Sequence, residues 1–247
     1  MLKMMVLLVV NFWIVVAQAA TLQDLAETHF EKSEQGISIS VYELKHQTHF
    51  FASSPTPLSV IADFQKLVQE RTPTDPYFLL RRQLDVFLKY GMPELQAKFQ
   101  QALSQPLPAI SYLEEMLFEL HQEKLKRPLF GSYSEFGAHI LRDSNDTLVV
   151  IFVSNPKDAM VPTIRTTTEL LESYLAKGFQ YYTFVHNHPF NFDNPEDHGG
   201  TTIPSGNLNY GDVSAFIMYR NKYGLQNAWI TNGFNTIRIP AADFEKY

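Results

Sequence analysis

The sequence predicts a mixed α+β or α/β fold: a β-sheet with flanking helices, preceded by a mainly helical N-terminal region. Three observations carry this. Residues 57–125 place apolar side chains at helical spacing, interrupted by prolines. From Leu129 onward, short β-branched and aromatic runs alternate with helical stretches. The 247-residue chain is 45% hydrophobic and 19% charged, a globular composition with enough apolar content for one large domain or two small ones.

The first 20 residues stand apart. Lys3 is their only charge, Met5–Ala17 is apolar apart from Asn11, and Ala17-Gln18-Ala19 is a small-x-small site. This three-part layout is that of a secretory signal peptide cleaved after Ala19 or Ala20. The rival, an uncleaved anchor, needs roughly 20 apolar residues, and the run is shorter. The expected location is therefore periplasmic or secreted, with no membrane span left after cleavage. Without Lys3 the chain keeps 19 basic against 26 acidic residues, a net charge of −7. It has no basic block, so nucleic acid is not an expected partner. The absence of cysteine rules out both a disulfide framework and a lipidated cysteine. Any metal site must use histidine and carboxylate.

The expected parts are residues 21–127 and 128–247. In the first, Leu22–Phe30 has a short helical pattern, and Gly36–Leu44 alternates apolar residues as a strand with which His49–Ala52 can pair as a hairpin. Leu58–Gln69, Tyr77–Tyr90, Pro93–Leu103 and Ser111–Lys126 read as helices, separated by Thr72–Pro76, Gly91 and Pro106–Pro108. In the second part, Ser134–Leu141 and Thr147–Ser154 are strands around the turn Asp143–Asp146. Thr166–Gly178 is a helix with a C-terminal glycine, and Gln180–His186 is a buried strand. Phe190–Gly211 is a long loop, Asp212–Tyr223 a helix, and Asn227–Thr231 and Thr236–Ile239 a hairpin about Asn232-Gly233.

The chemistry concentrates at His186-Asn187-His188-Pro189. Strand side chains alternate, so the two histidines face one way and can share one metal ion. Asp212 can add an oxygen ligand. Three protein ligands leave a fourth position open, as in catalytic rather than structural zinc sites. Glu135 is the candidate general base beside a nucleophilic water.

Glu135-Phe-Gly137 on one strand, His186-x-His188-Pro189 at the end of a later one and Asp212 at a helix start resemble the JAMM metalloprotease domain, also called JAB or MPN-plus, over about Phe130–Tyr247. The resemblance implies a JAMM-like mixed sheet holding Zn2+ on His186, His188 and Asp212, with Glu135 as the catalytic acid and base. It implies hydrolysis of a peptide or isopeptide bond in a peptide or protein substrate, such as a ubiquitin-like or other protein tail. The family's serine three residues before the aspartate is replaced by Asn209, which can donate to an oxyanion or cap the following helix. The stretch from His188 to Asp212 is also longer than the compact motif; it can form a substrate rim or a solvated insertion. Two other readings stay open. A domain that has lost efficient catalysis would be a protein-binding module, and a closed cavity rather than a groove would suit a small amide. His139 shares a strand face with Glu135, and His198 lies in the long loop. His29, His46, His49 and His121 belong to no constellation. Asn145-Asp-Thr147 matches a glycosylation sequon by letter.

Overall fold

The structure is a computed structural model that describes residues 26–34, 36–44, 50–53, 57–89, 95–126, 128–130, 133–157, 160–161, 164–190 and 200–247. The expected signal peptide, His49, His198 and residues 191–199 of the long loop lie outside the described residues.

Among the described residues seven strands form one mixed sheet: β1 (Ala26–Glu34), β2 (Ile37–Leu44), β3 (Glu135–Arg142), β4 (Leu148–Asn155), β5 (Gln180–Asn187), β6 (Asn227–Thr231) and β7 (Thr236–Pro240). Their order is β1-β2-β4-β3-β5-β6-β7. All neighbours pair antiparallel except β5 and β6, which are parallel and are joined through a helical crossover. The helices are α1 (Ser59–Gln69), α2 (Pro76–Lys89), α3 (Gln96–Leu103), α4 (Tyr112–Leu125), α5 (Arg165–Ala176) and α6 (Gly211–Tyr223), with a closing 3-10 turn at Ala241–Lys246.

Strand alternation divides the core. Phe136, Ala138, Ile140, Val150, Phe152 and Val185 point to one face, against Ile61, Phe64 and Val68 of α1 and Leu113, Leu117 and Leu120 of α4. Val149, Ile151, Val153, Phe184, Ala228 and Ile230 point to the other, against Phe99 of α3, Leu171 of α5 and Val213 and Phe216 of α6. The sheet is thus sandwiched between two helical layers, its central strands shielded from water on both sides. Among the described residues no helix is long and apolar enough to cross a membrane.

Two expected elements of the N-terminal part need correction. Residues 26–30 lie in a strand rather than in the helix expected over Leu22–Phe30. A short isolated helix is marginal in water, whereas β1 gains a ladder along β2 from Glu34↔Ile37 to Ala26↔Glu43. Its Glu31, Lys32 and Glu34 suit an edge strand. Nor does Phe50–Ala52 pair with β2, both of whose edges are taken, by β1 and β4. The carbonyls of Phe50 and Ala52 instead accept the Leu113 and Tyr112 N–H groups at 2.8 and 2.9 Å, satisfying donors that the first turn of α4 leaves orphaned. That turn is also closed by a capping box between Ser111 and Glu114. The boundary expected at residue 127 is not a break in the sheet, because β2 pairs with β4 from Ser38↔Ser154 to Leu44↔Leu148.

Candidate metal centre

The site forms where β5 ends and the crossover to β6 begins, the place at which open α/β sheets gather ligands. His186 lies on β5 facing the α6 layer, 2% exposed, with Phe184 and Phe216 against its ring. Its Nδ1 is buried without a hydrogen-bond partner, so aromatic packing and whatever Nε2 faces set the ring's orientation. His188 follows the strand, and its backbone N–H still reaches Thr231 O on β6 at 2.9 Å. Asp212 sits in the first turn of α6.

The three side chains meet. His186 Nε2 and His188 Nε2 are 3.2 Å apart; Asp212 Oδ1 lies 3.3 Å from the first and Oδ2 3.2 Å from the second. One donor atom from each residue falls within 4.8 Å of the others. His188 Nδ1 lies 2.9 Å from Thr201 O. Donation to that carbonyl fixes the tautomer that turns the Nε2 lone pair toward Asp212 and His186. Lone pairs converging at these distances repel unless a proton or a metal cation lies among them. A tetrahedral zinc with bonds of about 2.0–2.1 Å has ligand–ligand edges of about 3.3–3.4 Å, close to the spacings here. The donor set therefore fits a divalent transition metal.

The same convergence favours positive charge among these groups. Burial alone would lower the His188 pKa, but the hydrogen bond and charge of Asp212, with the charge of Glu135, outweigh it and leave it raised. Burial alone would raise the Asp212 carboxyl. The charges and hydrogen bonds of His186 and His188 reverse that and hold it well below the usual carboxylate range.

Glu135 opens β3. The β3–β5 ladder ends at Gly137↔His186, and continuing its register sets Glu135 across from His188 on the same face. Beyond that last pair the Asn187 side chain takes over. Its Oδ1 accepts Phe136 N–H at 2.6 Å and its Nδ2 donates to Ser134 O at 3.3 Å.

Asn209 is exposed in the loop ahead of α6, its backbone N–H donating to Asn207 Oδ1. It does not cap the helix: the N-cap is Tyr210, and no side-chain cap bond is made. The residue that reaches Asp212 is Ser205, which the sequence reading missed. Its N–H donates to Asp212 Oδ2 at 2.6 Å, and its Oγ accepts Asp212 N–H at 3.3 Å. Gly206 and Gly211 make this contact across seven positions. Both have positive φ, +71° and +75°. A Cβ on Gly206 would lie 2.0 Å from Tyr210 O, and one on Gly211 2.7 Å from Gly206 Cα. The two glycines back onto each other and pinch Asn207–Tyr210 into a turn closed by Asn207 N–H to Tyr210 O at 2.9 Å. The glycines flanking an Asn-rich segment were the available sequence signal. Lys98 of α3, also missed, is 7% exposed and donates to Gly206 O at 2.9 Å. Burial pulls its pKa down to about 8, against the opposing charge of Asp212.

The remaining histidines divide. His139 packs among Tyr181, Phe184 and Tyr219 with Nδ1 on the Tyr181 hydroxyl, and burial lowers its pKa to about 3. His121 does belong to a constellation: it is 1% exposed, with Nδ1 2.8 Å from Ser154 Oγ and Nε2 3.1 Å from Ser134 Oγ. A cavity of about 400 Å³ bordered by Ser59, Phe64, Leu67 and Leu129 includes none of the candidate ligands. Asn145 is exposed in the β3–β4 turn, where Asp143 Oδ1 accepts its N–H. Comparison with protein-family models, with curated proteins and with solved structures gave no match.

Proposed function

We propose that the chain is a zinc-dependent hydrolase of amide bonds, acting on a peptide or isopeptide bond in a JAMM-like manner. The observation that carries this reading is the convergence of His186 Nε2, His188 Nε2 and Asp212 on one point, with Glu135 in register across from His188. When bound there, zinc supplies a Lewis acid that makes water nucleophilic near neutral pH. Glu135 accepts the proton of that water and returns it to the departing amine nitrogen. Thr201 holds His188 in the ligating tautomer, and the phenylalanines beside His186 keep bulk water from its ring.

Ser205 supports the same reading. With the pinched tetrapeptide Asn207–Tyr210 set aside, the chain reads Ser205-Gly206-Gly211-Asp212, a serine three residues before the aspartate. In this proposal Ser205 rather than Asn209 donates to the developing oxyanion, because its Oγ accepts from Asp212 and keeps its own proton to give. Asn209 in the place of that serine left a non-catalytic binding module open, and that ground is weakened here. We also propose that residues 1–20 direct export and are removed.

Elemental analysis of the purified protein tests the centre. About one zinc per chain is expected, lost in a His186→Ala, His188→Ala double variant. No metal in the wild type, even after zinc is added back, would overturn the proposal. Glu135→Gln is expected to keep the zinc and to lose at least about 100-fold of turnover on any amide substrate found, the scale of a lost general base. Undiminished turnover in that variant would rule out the base assigned here.

A further inference from the structure

We propose that Asn187, the residue between the two histidine ligands, is a positioning residue that fixes Glu135 against the metal centre; the inference rests on the metal-centre reading above. Strand alternation points Asn187 away from His186 and His188 into the opposite helical layer, where it is 3% exposed. It therefore touches neither metal nor substrate. Its amide instead grips β3 at two backbone atoms, accepting Phe136 N–H at 2.6 Å and donating to Ser134 O at 3.3 Å. These groups immediately precede and follow Glu135.

The position of this clamp is what matters. Main-chain pairing between β3 and β5 stops at Gly137↔His186, so the segment bearing Glu135 keeps its β4 ladder, Glu135↔Asn155 and Phe136↔Ser154, but has no main-chain pair on the edge toward the histidines. A strand end paired on one edge only is free to shift relative to the strand on its other side. Asn187 replaces the missing pair from the strand that carries His186 and leads into His188, so the base and both histidines are referenced to one piece of backbone. The clamped segment is held again from behind. Ser134 Oγ meets His121 Nε2 at 3.1 Å, and His121 Nδ1 meets Ser154 Oγ on β4 at 2.8 Å. The line Asn187–Ser134–His121–Ser154 is buried throughout, with exposures of 3%, 2%, 1% and 0%. Breaking this buried amide pair would loosen the Glu135 segment from β5, with β4 alone still holding it, while leaving His186, His188 and Asp212 on their own supports, namely β5, Thr201 and Ser205.

The test uses the full chain loaded with Co2+, whose visible spectrum reports the surroundings of the ion without any substrate. Cobalt stoichiometry and the pH midpoint of the spectrum are measured for wild type, Glu135→Gln, Asn187→Ala and Asn187→Asp. Removing the Glu135 charge is expected to move the midpoint by about one pH unit, the size of a neighbouring carboxylate's effect. Asn187→Ala is expected to bind one cobalt per chain and to move at least halfway toward Glu135→Gln. Asn187→Asp keeps an acceptor for Phe136 N–H and is expected to fall between wild type and Asn187→Ala, which also covers a poorly folding alanine variant. One cobalt with a wild-type midpoint in both Asn187 variants overturns the proposal. So does loss of cobalt in both while wild type binds it, because Asn187 would then serve the ligands or the fold rather than Glu135. A wild type that takes no cobalt overturns the metal-centre reading, a Glu135→Gln midpoint that does not move overturns the place of Glu135 beside the ion, and the proposal falls with either.

Discussion

At the scale of single residues, a buried cation near the candidate centre makes a pH-dependent prediction. Lys98 is 7% exposed, and its pKa is lowered by burial from 10.5 to about 8. Between those values the unfolded chain binds a proton that the folded chain does not, so this group makes stability rise with pH across the window; below pH 8 its full penalty stands. The penalty is about 3 kcal/mol, from the distance between 10.5 and about 8. Lys98→Met removes it along with the hydrogen bond to Gly206. The difference in unfolding free energy between this variant and wild type, measured in urea, is therefore expected to change by about 1–3 kcal/mol between pH 8 and pH 10, in the direction that favours wild type at the higher pH. A constant difference across that range would show that the ammonium carries no such penalty. Asn232 is another residue with several duties. Its Oδ1 accepts the Phe234 and Asn235 N–H groups at 2.9 Å, and its Nδ2 donates to Gly200 O at 2.7 Å. It ties the β6–β7 hairpin to the residue preceding Thr201, whose carbonyl orients His188.

At the scale of elements, the segment ahead of α6 separates its ends from its tip. Gly211→Ala forces a side chain into positive φ and against Gly206, a strain of about 1–3 kcal/mol. Much of that is expected to appear as metal affinity weakened about tenfold or more, since Ser205 and Asp212 would be driven apart. Deleting Asn207–Tyr210 and joining Gly206 to Gly211 is expected to leave metal content at one per chain. Loss of metal in the deletion, with normal binding in Gly211→Ala, would refute the pinch as the organising feature. Legibility in the sequence followed the same division. Helices α1 to α4 were readable because proline breaks and, in α1 to α3, apolar spacing are local signals. The His186–His188 pair was readable because strand alternation is local as well. Ser205 was not, since its link to Asp212 depends on two glycines whose φ values no composition reveals. β1 was not, because what decides its conformation is a partner strand that pairs along its length. His121 was hidden in α4, a helix buried on nearly all sides, where periodicity singles out no face.

At the scale of the whole molecule, one sheet takes strands from both expected parts. β2 completes the β4 edge, and α1 with α4 covers one face of the strands that bear Glu135 and the histidines. A fragment of residues 128–247 would expose that edge and the apolar side chains Phe136, Ile140, Val150, Phe152 and Trp229. It is expected to lack a cooperative thermal transition and near-ultraviolet circular dichroism. A cooperatively melting fragment would show the N-terminal elements to be dispensable for folding. The polar line from His121 to Asn187 gives those elements a second tie, from a helix of the first half to the backbone beside the candidate base.

The glycine pinch has a consequence for how such a chain can change over time. Because Gly206 and Gly211 fix where the turn leaves and returns, the residues between them can be swapped, shortened or lengthened without moving Ser205 or Asp212. Leu208 and Tyr210, 55% and 66% exposed, sit in that permissive stretch beside the candidate centre. Selection can rewrite what the molecule grips there one substitution at a time, while the atoms that would perform the reaction are inherited untouched.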